Sequence, residues 1–325
     1  MNQGLFGFSA SDHRDPFYVR EFETSGSFQV PRGTRWLQFI AIGGGGGGGS
    51  GRTGATSTAA FGGGGGSSGT WFIDIVSMDE LQMSAGAELR VLVGSGGNGG
   101  AAISTSSTNG ATGSAGGNTE IYRPESPFPF IMIEGGSGGS GGTATTGSGG
   151  SSALKYCYFY KSRQAGQSGV SSSTAVAVSF AFNFAYASNA PWCPSGAAGG
   201  GISTGNTGVA GGNQTWSTGA PTRLAVPLQS SATTIFSTGS AVNSAAAGQG
   251  GIQAFLGFGG PLTGSKLGWG YGGCGGGAGV TANGGNGGNG YRGGAGGGGG
   301  AARNGFTSGA GGTGASGYCC IIAMR

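Results

Sequence analysis

Charge is scarce in this chain. Lys and Arg number 15, Asp and Glu 11, in 325 residues, and His13 is the single histidine. The net charge of +4 gathers into no basic cluster, so nothing argues for nucleic-acid binding. A Ser-His-Asp triad would have to use His13, which sits between Asp12 and Asp15 and reads better as a solvated charge cluster. The acids are scattered between Asp12 and Glu134, and no glycosidase-type carboxylate pair stands out. The GxxxxGK[ST] phosphate loop is absent, and GxGxxG matches carry no meaning at this glycine content. No apolar run is long enough for a transmembrane helix. The start, Met1-Asn-Gln-Gly, lacks the basic residues and apolar core of a secretory signal. Proline, at 10 residues, and the lack of a strict three-residue glycine period exclude collagen. The five cysteines, Cys157, Cys193, Cys274, Cys319 and Cys320, form no CxxC pair and read as small buried residues of a chain made in a reducing cytosol. Adjacent Cys319 and Cys320 would point to opposite faces of a strand, which disfavours a shared metal. These absences predict a protein that is not an enzyme and needs no cofactor or metal.

What is abundant is glycine, 83 residues against a usual level of about 7%. Ordering each one costs roughly 0.5–1 kcal/mol more than ordering an alanine. Side-chain burial cannot offset that, so backbone hydrogen bonds must. Glycine tracts can meet the demand as polyproline-II-like helices, with three residues per turn and no internal hydrogen bonds. Without Cβ atoms, several such helices can pack side by side and bond laterally. The expected fold is therefore all-β with irregular regions: short buried strands plus stacked polyglycine-II helices, a glycine-rich sandwich. Oligomers would cover its edges.

The chain repeats one unit, an apolar run leading into glycine. Trp36–Ile42 runs into Gly43–Gly49; Glu88–Val93 into Gly94-Ser-Gly-Gly; Phe130–Glu134 into Gly135-Gly-Ser-Gly-Gly; Ile252–Phe258 into Gly259-Gly260. Tyr318–Met324 closes the chain after a glycine tract. Phe28 and Val30 alternate with polar residues, Pro31 and Gly33 predict a turn, and Trp36–Ile42, apolar on both faces, is the expected return strand. A second tract, Gly62–Gly66, leads to a strand over Thr70–Val76. Asn283, Asn286 and Asn289 recur every third residue, which a three-per-turn helix would set along one edge as a polar ladder.

Four regions follow. Residues 1–24 hold most of the local charge with Phe6, Phe8, Phe17, Tyr18 and Phe22. Aromatics mixed with arginine suit an interface, so Arg14, Phe17, Tyr18 and Arg20 are candidate docking residues of an N-terminal arm; an ordered cap on the chain's own domain is the plainer reading. Residues 25–150 form the strand and polyglycine body, and 244–325 complete it. Between them, 151–243 is poorer in glycine. It holds Tyr156, Tyr158 and Tyr160, then strict alternation from Thr174 to Tyr186 with large side chains on one face, which predicts a long strand. Tyr156, Tyr158, Tyr160, Trp192 and Trp216, beside Ser/Thr/Gly loops, are candidate receptor-binding residues. They serve equally well as core or subunit contacts, so the insert is either a recognition tip or a subunit interface.

The order Gly-Ser-Phe-Gln-Val-Pro-x-Gly (26–33), strand, Gly43–Gly49, second tract, strand, Ala-Gly-Ala-Glu (85–88), and strand ending Val93-Gly-Ser-Gly-Gly resembles the glycine-rich domain of bacteriophage tail and tail-fibre proteins. The ending Gly311-Gly-Thr-Gly-Ala-Ser-Gly-Tyr-Cys-Cys-Ile-Ile resembles that domain's last strand. The likeness covers about residues 25–142 and 243–325. More distantly, the layout is similar to tail-fibre tip adhesins of T-even-like phages, in which polyglycine helices form a rigid sandwich. The charged N-terminal arm and the long insert depart from that pattern. The resemblance implies a virion protein assembled in the host cytoplasm, homotrimeric, partnered by other virion proteins and by bacterial surface polysaccharide or an outer-membrane protein. As expectations, it is a tail fibre or tail-tip component that contacts the host receptor, or a structural head, collar or baseplate protein that cements its neighbours. An antifreeze role would favour a regular Gly-x-x repeat with a flat Thr face, which only short pieces obey. A depolymerase would need the missing carboxylate pair.

Overall fold

The structure, a computed structural model, describes residues 17–84, 86–151, 163–164, 180–183, 195–212, 214–217 and 272–325. Among these there is no helix, and the regular elements are thirteen short strands. They are β1 (Phe17–Phe22), β2 (Gly26–Gln29), β3 (Trp36–Ile42), β4 (Thr53–Gly54), β5 (Trp71–Ser77), β6 (Glu88–Leu92), β7 (Thr119–Tyr122), β8 (Pro129–Ile133), β9 (Arg163–Gln164), β10 (Phe180–Asn183), β11 (Gln214–Ser217), β12 (Ala302–Arg303) and β13 (Tyr318–Met324). The chain is all-β, in several small open sheets with no barrel.

Two sheets carry the side-chain core. One has the order β1-β13-β3-β5-β9, the other β2-β6-β7-β8. Leu37, Phe39 and Ala41 project from one face of β3 and meet Phe28, Leu89, Val91 and Ile121 of the second sheet in one buried cluster. Phe39 and Phe130 meet edge to face across it, with ring centroids 5.8 Å apart. The other face of β3 puts Ile40 and Ile42 beside Trp71, Tyr318 and Cys320 in a smaller cluster. Cys319 belongs to the first cluster and Cys320 to the second, so the adjacent thiols do take opposite faces.

The expected hairpin of residues 26–30 with 36–42 does not form. β3 is the third of five strands, bonded to β13 on one side and β5 on the other. Both its edges are used, as suits a strand apolar on both faces. β2 therefore pairs with β6 in the other sheet. The turn exists, with Thr34 N–H donating to Pro31 and Gly33 at a φ of 82°, but it carries the chain from one sheet to the other. Of the long strand expected over 174–186, the described part is β10, which runs parallel to β11. The rest of that stretch lies outside the described residues, as does Ile252–Phe258.

The glycine segments are bonded with a period of three. Segment 43–51 leaves β3 and gives its N–H groups to three neighbours in turn. Gly43, Gly46 and Gly49 donate to Thr70, Ser67 and Gly64; Gly44, Gly47 and Ser50 to Gly117, Ser114 and Ala111; Gly45, Gly48 and Gly51 to Ala315, Gly312 and Gly309. Partner numbers fall as donor numbers rise, so these three neighbours are antiparallel. Three parallel neighbours donate back: Gly97 and Gly100 to Gly45 and Gly48, Gly136 and Gly139 to Gly44 and Gly47, Gly296 and Gly299 to Gly46 and Gly49. Segment 43–51 is thus enclosed by six others. Segment 293–301 is a second such centre, sharing 43–51, 62–70 and 309–317 and adding 195–201, 273–279 and 283–290. The spacing leaves no room for side chains: a Cβ on Gly47 would collide with the Asn98 carbonyl. Each ordered glycine costs roughly 0.5–1 kcal/mol more than an alanine, and each backbone bond returns a net of about 0.5–1.5 kcal/mol, so the full bonding of segment 43–51 is what makes its burial affordable.

Candidate interaction surfaces

Connectivity gives the body two unlike ends. Segments leave the two sheets, turn at a far end and come back. The far turns include residues 52–60, 101–109, 143–146, 202–208 and 302–307. Beneath them a small plug of Ala60, Ile202, Ala278 and Ala301 is buried. The far face is dense in hydroxyls: Thr56, Ser57, Ser104, Thr105, Thr145 and Thr204 are all exposed. Its two charged groups among the described residues, Arg52 and Arg303, are both engaged internally. Arg52 Nη1 donates to Asn109 Oδ1 at 2.6 Å. Arg303, almost fully buried, donates from Nη1 to the Ala55 and Thr58 carbonyls at 2.7 and 2.6 Å, and from Nη2 to the Ser203 carbonyl at 2.8 Å. Burial lowers its pKa from the usual arginine range. Asn304 Oδ1 accepts from Ser107 N–H at 2.7 Å. The far turns are therefore tied to one another by side chains distant in sequence.

All the carboxylates among the described residues, from Glu21 to Glu134, lie at or beside the sheets. So does the exposed apolar surface. Cross-strand register places Phe17, Met324 and Trp36 in one row of the outer sheet face, and Val19, Ile322, Gln38 and Ile75 in the next. Phe17 is 56%, Trp36 47% and Ile75 51% exposed, where isolated apolar residues would need no comment but contiguous ones mark contact surfaces. β1 is the edge strand of this sheet, paired on one side with β13. Just past it, Glu23 is joined to the buried Arg292, whose Nε donates to Glu23 Oε1 at 3.0 Å while the guanidinium lies 4.7 Å from the Tyr318 ring centre.

The docking residues read from the sequence fall on this edge, on different faces. Phe17 points outward with Val19. Tyr18 and Arg20 lie on the inner side, Tyr18 with its ring 5.8 Å from that of Phe28 and Arg20 above the Phe22 ring. Arg14 lies outside the described residues, as do Tyr156, Tyr158, Tyr160 and Trp192. Trp216 is in β11, its backbone opposite Phe182. Sequence reasoning missed the roles of Trp36 and Ile75, because only the register of four strands puts them beside Phe17. It also missed Arg303, whose carbonyl partners come from turns far away in the chain. No cluster of His, Cys, Asp or Glu suited to a metal occurs among the described residues.

Where the insert departs can be read from its flanks. Gly150 donates to Gly65 and Gly196 to Gly66, a few residues before β5, so the chain leaves after Ser151 and is back at Ser195 on the sheet side. Between these points β9 pairs with β5.

A family profile described as a glycine-rich domain matches residues 23–324, nearly the whole described body. The chain belongs to the glycine-rich domain family. No curated protein matches it. The profile spans both centres of the bonded array and both core sheets, so in this glycine-rich domain the sheets and the glycine segments form a single family unit.

Proposed function

We propose that this glycine-rich domain protein is a non-enzymatic bacteriophage virion component, a tail-fibre or tail-tip protein that contacts the bacterial surface. Its glycine segments are polyglycine-II helices, and they act as a stiff display scaffold. Assembly is as a homotrimer with other virion proteins as neighbours. Host contact is made by the insert, through Tyr156, Tyr158, Tyr160, Trp192 and Trp216, against surface polysaccharide or an outer-membrane protein, by complementarity and without turnover. The observation that carries this reading is the three-residue bonding period around segment 43–51, which gives a body whose rigidity comes from backbone alone. The resemblance of Gly26–Gly33 and the glycine tracts to phage tail proteins supplies the setting.

A second reading is favoured by one feature. The exposed patch of Phe17, Trp36 and Ile75, spread over two adjacent cross-strand rows, is what a subunit interface looks like before assembly. On that reading the chain cements neighbours in a head, collar or baseplate, with the insert buried between subunits. Immunogold labelling of intact virions with an antibody against residues 153–194 decides. Label at the free end of tails or fibres supports receptor contact. Label on the head or collar, or an epitope seen only after disruption, transfers the proposal to the cementing role. Absence of the protein from purified virions overturns both.

A further inference from the structure

Six asparagines in the described body precede a glycine: Asn98, Asn109, Asn283, Asn286, Asn289 and Asn304. In such a pair the glycine nitrogen can attack the asparagine side-chain carbon, because no Cβ shields it. What separates the six is whether the reacting groups are already bonded.

Asn283, Asn286 and Asn289 are held on both sides. Their Oδ1 atoms accept from the N–H groups of Thr307, Ala310 and Thr313 at 2.8, 2.9 and 3.0 Å. The following Gly284, Gly287 and Gly290 donate their N–H groups to the carbonyls of those same three residues. Each Asn-Gly pair thus clasps one residue of the next segment by both its N–H and its carbonyl. Asn109 is held in the same two places, by Arg52 at Oδ1 and through Gly110 N–H to the Gly142 carbonyl. Asn304 is held at its side chain by Ser107. Asn98 differs from all of these. Its side chain is exposed and the Gly99 N–H has no partner among the described residues. What holds Asn98 is its own backbone, bonded on one side only, to Ser114.

We propose that Asn98 is a site of spontaneous self-modification by cyclisation onto Gly99. The Gly99 nitrogen loses its proton to solvent and bonds to Asn98 Cγ; the Cγ–Nδ2 bond breaks and ammonia leaves. Water then opens the succinimide at one of its two carbonyls, giving aspartate or isoaspartate. No oxidant, reductant or enzyme is needed. Either product puts a negative charge on a stretch, 94–118, that carries none. Isoaspartate also adds a methylene to the main chain. That shifts Gly100 out of the three-residue phase in which it donates to Gly48 at 2.8 Å and accepts from Gly311 at 2.9 Å. The site is a slow timer on segment 94–100, and it leaves the Asn283–Asn289 clasp intact.

The test is timed incubation of the full chain in mildly alkaline buffer at body temperature, native and in concentrated guanidinium chloride, followed by peptide mapping by mass spectrometry. In the native protein Asn98 converts at least about tenfold faster than Asn109, Asn283, Asn286 or Asn289, since those must first give up two hydrogen bonds. In denaturant the six convert at similar rates. Incubation in heavy-oxygen water labels the product at residue 98. The proposal fails if native Asn98 stays intact while any clasped asparagine converts, or if the native order matches the denatured one.

Discussion

Arg303 Nη2 donates to the Ser203 carbonyl at 2.8 Å, joining two far turns that are 100 positions apart in the chain. The same guanidinium holds Ala55 and Thr58 through its other nitrogen. One buried cation thereby ties three stretches of chain, in a region where glycine offers no side chains to do so.

Arg303→Met keeps the stem and removes the donors. The Ala55 carbonyl still accepts from the Thr58 N–H and hydroxyl, and the Ser203 carbonyl from the Asn206 N–H, so it is the Thr58 carbonyl that is left unmet. The expected loss is roughly 1–3 kcal/mol, the cost of one unmet buried acceptor. Denaturant melts of the two proteins measure it. Loss below about 0.5 kcal/mol would mean that water reaches this carbonyl.

Gly47→Ala and Gly205→Ala should part company. At Gly47 a methyl group meets the Asn98 carbonyl, at the centre of the bonded array. Misfolding or a loss of several kcal/mol is expected, since overpacking typically costs 1–3 kcal/mol, about the minimum where backbone must move. At Gly205, in a far turn, nothing but the Ser203 hydroxyl comes within contact range, and the change should stay within about 0.5 kcal/mol. Thermal melting of the pair checks this.

Replacing Asn283, Asn286 and Asn289 together by glycine removes three side-chain acceptors at an exposed edge. Water takes their place, so stability falls by only about 1–2 kcal/mol. Amide hydrogen exchange is the sharper readout: protection at Thr307, Ala310 and Thr313 should drop, with Gly309, Gly312 and Ala315 unchanged because they donate to segment 293–301.

Burial pushes the Cys320 thiol up to about 12, with Glu21 adding to the shift, and burial raises Cys319 as well. An unfolded cysteine titrates near 8.5. Between these values the unfolded chain has released the proton and the folded chain has not, so stability falls as pH rises. The slope approaches about 1.4 kcal/mol per pH unit per thiol. Stability is expected to be intact below pH about 8.5 and to decline above it. Cys320→Ala should flatten part of that decline. At neutral pH a thiol reagent should leave buried Cys274, Cys319 and Cys320 unlabelled until the chain is unfolded.

Trp36→Ser with Ile75→Ser tests the outer sheet face. Both side chains are about half exposed, so the monomer should lose little stability. If this face is a subunit contact, light scattering shows a smaller assembly for the double variant. An unchanged mass with an unchanged melt removes the face from the interface.

β3 and β13 were legible as buried strands, because each is a short, nearly continuous apolar run bounded by a glycine tract. The opposite faces of Cys319 and Cys320 followed from the side-chain alternation of a strand. The asparagine ladder was legible from spacing alone, since a repeat of three residues stays in phase with segments bonded at every third residue. The outward patch was not: Phe17, Trp36 and Ile75 are far apart in sequence and meet only through β13 and β3.

What the sequence determined by itself was the alternation of apolar strand and glycine segment, and so an all-β body closed by backbone bonds. What only the tertiary structure decided was which element lies beside which. β2 and β3 part into different sheets, β13 enters between β1 and β3, and six particular segments surround residues 43–51. The physical reason is that one glycine N–H is chemically the same as the next. A side chain announces its partner by shape, charge or polarity, whereas a bare amide accepts any carbonyl. The choice passes to the two core sheets and to the turns, which fix where each segment starts and which way it runs.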